Sequence, residues 1–544
     1  MPQQKRRVLR SLAAQLKQWV SWISHKDRPA RQVGLLIGLF AAYYIRAYFK
    51  NSVVPSVGVD FPTGWWIWFD QGFYLSAAKA TSQWNWAAER FFYPPLYPLL
   101  GAPFVRVWPN HPFLLINLGS SLVFAYAFFS VSRRYFSAQV SAAIFFVFMM
   151  LDSKIFEQLL IPWSTTAVAA FLSVGIWTLG KINSDQPATS QGLRKIWYFS
   201  VFCLGLVIAT RPPDAPLAGI ICFALTYELF RIDRRLLTWR TLTLGGLLAS
   251  FGGALHLGFN YAVYGSIRGD YLARASSNGY FPSNLPLKAY TLLLDGETLH
   301  GETLSGLLQR YPLLLLSFLG LAYTLIYGDK LLRLLACCVL FHFLLYFPYG
   351  DLQPNGLWRF NNIHYFKWTL PYLGLFSALF IAHLARKFRE NRRSGARALS
   401  VWTAAAVLIS SIHLQLDRAP AEELQVLKSA GGLSLRAIRQ AGIASTDFLD
   451  LPGLHGNFTD VYFGQHQVQV DDQRLQIYRD FRILPFAGGS RLLFSRPVNG
   501  RVIEIRTDPN LRWEGGHLSR LGSYRFILGK PRIFWKKGPN GNAV

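Results

Sequence analysis

Apolar residues come in blocks of membrane-span length from Val33 to about Leu414, divided by short polar segments. A helix that crosses a bilayer needs roughly 20 apolar residues, fewer where its ends snorkel. Windows of this kind cover 33–49, 113–131, 138–151, 162–180, 197–210, 214–230, 241–262, 312–327, 333–349, 368–385 and 399–414. The pattern predicts a polytopic α-helical membrane protein of about eleven spans. Ahead of the first window, Leu9, Leu12, Leu16, Trp19, Val20 and Ile23 recur at helical spacing within a basic segment, 1–32. That spacing predicts an amphipathic helix on the inner leaflet. The segment lacks the uninterrupted apolar core and small-residue cleavage site of a secretory signal.

Past residue 415 the pattern changes. "VYFGQHQVQV", "RLQIYRDF", "SRLLFSRP", "RVIEIRT" and "YRFILG" read as short strands separated by Gly, Pro and Asn. "AEELQVLKSAGGLSLRAIRQAG", 421–442, reads as one or two helices ahead of them. The expected organisation is therefore a cytoplasmic basic segment 1–32, a membrane domain 33–414 with a first outer loop 50–112, and a soluble α+β or β-rich domain 415–544.

Charge orients the spans. The chain carries 56 Lys+Arg against 29 Asp+Glu, and only 16% of its residues are charged, against 51% hydrophobic. Soluble chains average about 25% charged residues. The basic excess falls in short runs between apolar windows: "SRR", "KINSDQPATSQGLRK", "RIDRRLLTWR", "GDKLLR" and "ARKFRENRRSGAR". This is the signature of cytoplasmic loops, and it argues against nucleic acid as a partner. The loops 50–112, 152–161, 210–214, 263–311 and 349–368 then face outward, and an odd span count places 415–544 outside too. Cys203, Cys222, Cys337 and Cys338 all sit in apolar stretches and read as small core residues.

Candidate chemistry concentrates in the outer loops. In "WWIWFDQGFYLSAAKA" the carboxylate of Asp70 stands among aromatic residues. There it is either the cap of a helix running from Gln71 through Lys79 or a partly desolvated general base. Asp60 is a second base candidate in the same loop. "LDSKIFEQLLIPW" supplies Asp152 and Glu157, and "TRPPDAP" places Arg211 and Asp214 at a break between two spans. Arg211 either pairs with Asp214 at this hinge or holds a phosphate, whose oxygens its guanidinium fork fits. "LWRFNNIHYFKWTLPYLG" sets Arg359, His364 and Lys367 among interfacial aromatics, where cations would stabilise a departing phosphate. Asp295, Glu297, His300 and Glu302 form either a divalent-metal cluster or a solvated loop. No cofactor is fixed by motif: Walker A, paired CxxC, HExxH and GxSxG patterns are all absent.

"FDQGFYLSAAKA" followed by "FFYPPLYPLLGAPF" resembles the first outer loop of the C-type, polyprenyl-phosphate-dependent glycosyltransferases. This superfamily includes the protein O-mannosyltransferases and the lipid A aminoarabinose transferases. Asp70, Tyr74, Leu75 and Pro94 to Tyr97 carry the match, while the usual Glu after the Asp is Gln71 here. The resemblance covers the layout of roughly 33–385 and leaves the C-terminal domain out. It implies transfer of a sugar from a polyprenyl-phosphate donor to a cell-envelope glycan, lipid or protein on the outer face of the plasma membrane. In that frame Asp70 activates the acceptor and Asp152 or Glu157 contacts acceptor or metal. Arg211, Lys367 and Arg359 meet the donor phosphate, and Tyr74, Tyr93 and Tyr97 offer aromatic contact to sugar. A lipid-linked oligosaccharide flippase is the alternative from another class. It would call for internal repeats or midplane charges, which the sequence lacks. A diphosphate-donor polymerase or ligase differs only in donor and acceptor.

The topology has a direct check. A reporter fused after Leu414 is expected to give an external signal, with the N-terminus cytoplasmic. A cytoplasmic signal would mean a span count wrong by an odd number.

Overall fold

The computed structural model describes residues 28–52, 64–150, 152–183, 189–271, 285–296, 304–349, 352, 356–390 and 400, together with the strands and adjoining turn residues between 414 and 528. The amphipathic segment before residue 28, Asp60, the cluster members Glu297, His300 and Glu302, nearly all of the 399–414 window and the side chain of Arg359 lie outside the described residues.

Ten of the eleven apolar windows fold as helices. The helices are α1 (Arg28–Asn51), α2 (Phe69–Ser82), α3 (Leu96–Val105), α4 (Leu114–Ser132), α5 (Ala138–Met149), α6 (Ser153–Leu160), α7 (Ser164–Ile182) and α8 (Ser190–Thr210). They continue as α9 (Ala215–Ile232), α10 (Trp239–Tyr264), α11 (Leu285–Leu293), α12 (Leu307–Arg310), α13 (Leu314–Tyr327), α14 (Lys330–Tyr346) and α15 (Thr369–Glu390). Among the described residues seven helices are long and apolar enough to cross a membrane, and the α5–α6 pair, bent by 95°, makes an eighth if counted as one span. α13 and α14 fall short at 14 and 17 residues.

The segment 152–161 was expected as a turn and is instead the eight-residue helix α6. The cause is local. Asp152 caps it, accepting a hydrogen bond from the Lys154 amide at 2.9 Å. Ile155, Phe156, Leu159 and Leu160 then recur at helical spacing and are buried.

The chain divides into two compact units. One takes Met1–Gly269, Gly320–Val339 and His364–Leu379; the other takes Asp270–Leu319, Leu340–Ile363 and Phe380–Val544. In the first unit α7 is buried along almost its whole length, while α10 exposes Leu247, Phe251 and Tyr261 as a lipid-facing side would. Aromatic rings fill the interior: Phe145 meets Phe40 and Phe128 at 5.5 Å, and Phe128 meets Tyr372 at 5.4 Å. Such pairs contribute about 0.5–1.5 kcal/mol each beyond their buried area.

In the second unit Lys288 is buried and its Nζ donates to the carbonyls of Pro348 and Tyr349 at 2.9 and 3.1 Å. The guanidinium of Arg310 lies 4.2 Å over the ring of Trp358. The C-terminal part of this unit holds eleven described strands: β1 (Leu414–Arg418), β2 (Glu422–Lys428), β3 (Ser434–Ile438), β4 (Thr446–Pro452), β5 (Gln467–Val470), β6 (Gln473–Leu475), β7 (Phe481–Phe486), β8 (Gly489–Val498), β9 (Val502–Arg506), β10 (Ser519–Gly522) and β11 (Tyr524–Leu528). Nine of them order as β6-β5-β9-β3-β2-β10-β4-β8-β7, and β1 pairs with β11. The helices expected over 421–442 are replaced by β2 and β3, which pair antiparallel with Gln425 opposite Ile438 and Lys428 opposite Leu435. Long-range ladders from β10 and β9 complete both strands and override the local helical preference of "AEELQVLK".

α8 and α10 approach to backbone contact. A Cβ on Gly252 would stand 2.0 Å from the Gly205 carbonyl oxygen, and one on Gly205 would stand 2.2 Å from that of Ala249. Small residues permit such crossings in membranes, where close van der Waals contact drives association. Gly252→Leu is therefore expected to cost about 1–3 kcal/mol and to lower the detergent melting temperature. Gly258→Leu, on the same helix with open space around it, is expected to be neutral. Equal melting temperatures for the two variants would contradict this packing.

Candidate active site

Asp70 does not cap its helix. α2 begins at Phe69 with Trp68 at the N-cap, and Asp70 falls within the first turn. Its carboxylate accepts a hydrogen bond from the Tyr93 hydroxyl. The O–H donor and the positive end of the helix both stabilise negative charge at this place. Asp70 and Tyr93 are half-buried, so the pair reaches the edge of the packed interior.

Behind them the helix is pinned. Gln71, which stands where the superfamily usually has Glu, is buried and donates to the Pro162 carbonyl at 3.2 Å. Its neutral amide suits that contact, because a carboxylate there would face a carbonyl oxygen. A Cβ on Gly72 would stand 2.8 Å from the Trp66 carbonyl oxygen, so only glycine lets the helix start so close to the preceding turn. The Tyr74 hydroxyl shares a 3.0 Å hydrogen bond with Ser164 Oγ. Tyr97 stacks on Phe113 at 4.6 Å and donates to Asn117 Oδ1 at 2.9 Å. Of the three tyrosines expected to face sugar, Tyr74 and Tyr97 are thus buried with engaged hydroxyls, and Tyr93 reaches farther out.

The cations form the second half. Lys367 is 1% exposed, and its Nζ donates to the Gln158 carbonyl at 2.8 Å and to Thr166 Oγ1 at 2.6 Å. Both acceptors are neutral. Burial, with the nearby charge of Arg211 adding to it, holds the Lys367 amine well below the ordinary lysine range. Arg211 ends α8 where Pro212 stops it, and pairs through Nε with Asp214 at 3.1 Å. Its guanidinium also lies 4.6 Å over the Tyr365 ring. The hinge pairing with Asp214 is therefore present. His364 packs edge-on against Trp163 and Tyr365, with centroids at 3.9 and 4.0 Å.

One short segment, 158–166, holds both halves. Gln158 and Thr166 receive Lys367, while Pro162 and Ser164 receive Gln71 and Tyr74 from the helix that carries Asp70. Gln158 also accepts the Trp163 indole at 3.1 Å. These neutral residues were not singled out from the sequence. Asp152 caps α6, and Glu157 one turn later is half-buried. Among the described residues no three His, Cys, Asp or Glu side chains come together as a metal site.

No protein-family model matches the chain, and no curated protein matches it. Solved structures similar to it include ArnT from Cupriavidus metallidurans bound to undecaprenyl phosphate, at 16% identity and a TM-score of 0.41 over 70% of this chain and 66% of that one. The apo state of ArnT gives 16% identity and 0.44 over 70% and 65%. An oligosaccharyltransferase from Archaeoglobus fulgidus, in complex with zinc and sulfate, gives 13% identity and 0.36 over 68% and 51%. The chain spans about two thirds of the ArnT length and about half of the oligosaccharyltransferase length. Each of these likenesses is distant.

The Lys367 anchor can be tested by itself. Thr166→Val keeps the shape of the side chain and removes one of two acceptors from a buried ammonium. Hydrogen bonds to charged groups are worth about 1.5–3 kcal/mol, so a lowered melting temperature is expected. Thr166→Ser should restore most of the loss. An unchanged Thr166→Val protein would mean that this hydrogen bond does not hold Lys367.

Proposed function

We propose that the chain is a membrane glycosyltransferase that moves a sugar from a polyprenyl-phosphate donor to an acceptor hydroxyl on the outer face of the plasma membrane. One observation carries this reading. The helix that carries a carboxylate at the edge of the interior and the buried Lys367 are fixed to the same segment, 158–166, at the end of a bent helix pair, and the charge of the buried Arg211 acts on Lys367. Desolvated cations with mostly neutral partners are costly and suit a site that an anion completes. The donor's lipid tail would lie along the spans, and its phosphate would meet Arg211 and Lys367.

The chemistry follows from these roles. Asp70, held by Tyr93, takes the proton of the acceptor hydroxyl as general base. The acceptor oxygen attacks the anomeric carbon from the face opposite the phosphate, and the electron pair of the breaking C–O bond stays on the phosphate oxygen. The cations stabilise the charge that develops there. A single displacement of this kind inverts the anomeric centre. The acceptor is a cell-envelope glycan, lipid or protein. Asp60 is the reserve base from the same loop. Asp152 and Glu157 are reserve acceptor or divalent-metal contacts, with Asp152 already committed to capping α6.

Purified protein given radiolabelled polyprenyl-phosphate sugars and membrane extract is expected to transfer label. Asp70→Asn should lower transfer by on the order of 10²–10⁴ with stability little changed, and Asp60→Asn should be milder. Arg211→Ala and Lys367→Ala should raise the donor concentration needed for half-saturation. Near wild-type turnover in Asp70→Asn rejects the base, and unchanged donor saturation in both alanine variants rejects the phosphate cradle.

A further inference from the structure

His364 has no role in the chemistry proposed above, yet it sits among the same cations. It is 2% exposed, and neither ring nitrogen has a hydrogen-bond partner among the described residues. A neutral imidazole always carries one N–H donor and one acceptor nitrogen. Leaving such groups buried and unpaired costs about 1–3 kcal/mol. The ring is enclosed by Trp163 and Tyr365. The charges that act on it are those of Lys367, three residues on, and Arg211, from the α8–α9 junction. Asp214 is held against Arg211. Trp163, which packs on the ring from the 158–166 segment, does not titrate.

Burial, and after it the charges of Lys367 and Arg211, hold this imidazole well below its ordinary range, so it is neutral in the empty site. An anion entering the cluster counters both effects, although the ring stays buried. It offsets the two positive charges and supplies acceptor oxygens.

We propose that His364 takes up a proton when a phosphate monoester occupies the Arg211–Lys367 site, so that the site holds a doubly charged phosphate more tightly than a singly charged one. This rests on the phosphate cradle proposed above and deepens it. The sugar donor is a phosphodiester with one negative charge. The lipid product is a monoester that carries a second charge above about pH 6. As the C–O bond to the sugar breaks, the electron pair adds charge to the phosphate oxygen, and a proton drawn from bulk water onto His364 offsets it. The acceptor's own proton goes separately to Asp70. The site thus favours the state in which the phosphate has left over the state in which it holds the sugar, as transition-state stabilisation requires.

The test is titration calorimetry of the full-length protein with a short-chain polyprenyl phosphate and with its methyl diester. It is run near pH 8, where the free monoester already has both charges, in two buffers of different protonation heat. Wild type is expected to take up about one proton with the monoester and markedly less with the diester. His364→Gln and His364→Asn should bind the monoester with that uptake lost. Between roughly pH 8 and 7 the wild-type affinity should rise relative to either variant, by up to about tenfold per pH unit, the limit for one linked proton. The ligand's own titration cancels in that ratio. Lys367 is the other group able to take the proton, so Lys367→Gln should bind more weakly and keep the uptake. That variant decides the matter if neither His364 variant folds. Binding without uptake in wild type, uptake that survives in a folded His364 variant, or uptake lost in Lys367→Gln overturns the proposal. If Arg211→Ala and Lys367→Ala bind the monoester as wild type does, the cradle itself fails and the coupling with it. Weakened binding in those variants, with protons unchanged in His364→Gln, removes only the coupling.

Discussion

The last turn of α6 leaves main-chain carbonyls without partners in their own helix, and the architecture of the first unit depends on how they are filled. The final carbonyls of any helix lack intrahelical donors, and Pro162, two residues past its end, brings no amide to help. Side chains from four other parts of the chain take the donor role. Lys367 reaches the Gln158 carbonyl, Tyr44 that of Leu159 at 2.8 Å, Asn117 that of Ile161 at 3.0 Å and Gln71 that of Pro162. Each donor is itself buried, so losing one strands both partners away from water. Such mutual satisfaction makes a polar network rigid and specific.

That rigidity is what a transferase site needs. The proposed base Asp70 and the proposed phosphate ligand Lys367 lie about three hundred positions apart, and productive geometry tolerates only small errors of placement. Gln71 and Tyr74 tie the helix of Asp70 to the segment, and Lys367 ties the start of α15 to it. The same contacts explain the choice of neutral residues. Gln71, Gln158 and Thr166 position charged groups without cancelling them, as the proposed binding of an anion at Lys367 requires.

Much of this was legible in the sequence where the signal is local. Hydropathy windows found the helices because one-dimensional apolar blocks determine spans. Asp70 stood out as a carboxylate among aromatic residues. Its reading as a helix cap failed because the helix starts two residues earlier than the spacing implied, at Phe69 with Trp68 at the cap. The capping role belongs instead to Asp152, whose Asp-Ser-Lys start ahead of buried Ile155 and Phe156 was a readable signal. The anchors Gln158, Thr166 and Asn117 were not legible. Thr166 and Asn117 are ordinary polar residues in apolar windows and Gln158 one in the loop between two of them, and their meaning lies in contacts as much as 209 residues away. The strands β2 and β3 were missed for the same reason, since ladders to distant strands decide them.

A cryo-EM map of the protein with a polyprenyl phosphate bound tests the central claim most directly. Phosphate density is expected against Arg211 and Lys367, with Asp70 and the segment 162–166 lining the same cavity. Density held instead by Lys288 or Arg310 in the other unit would contradict it.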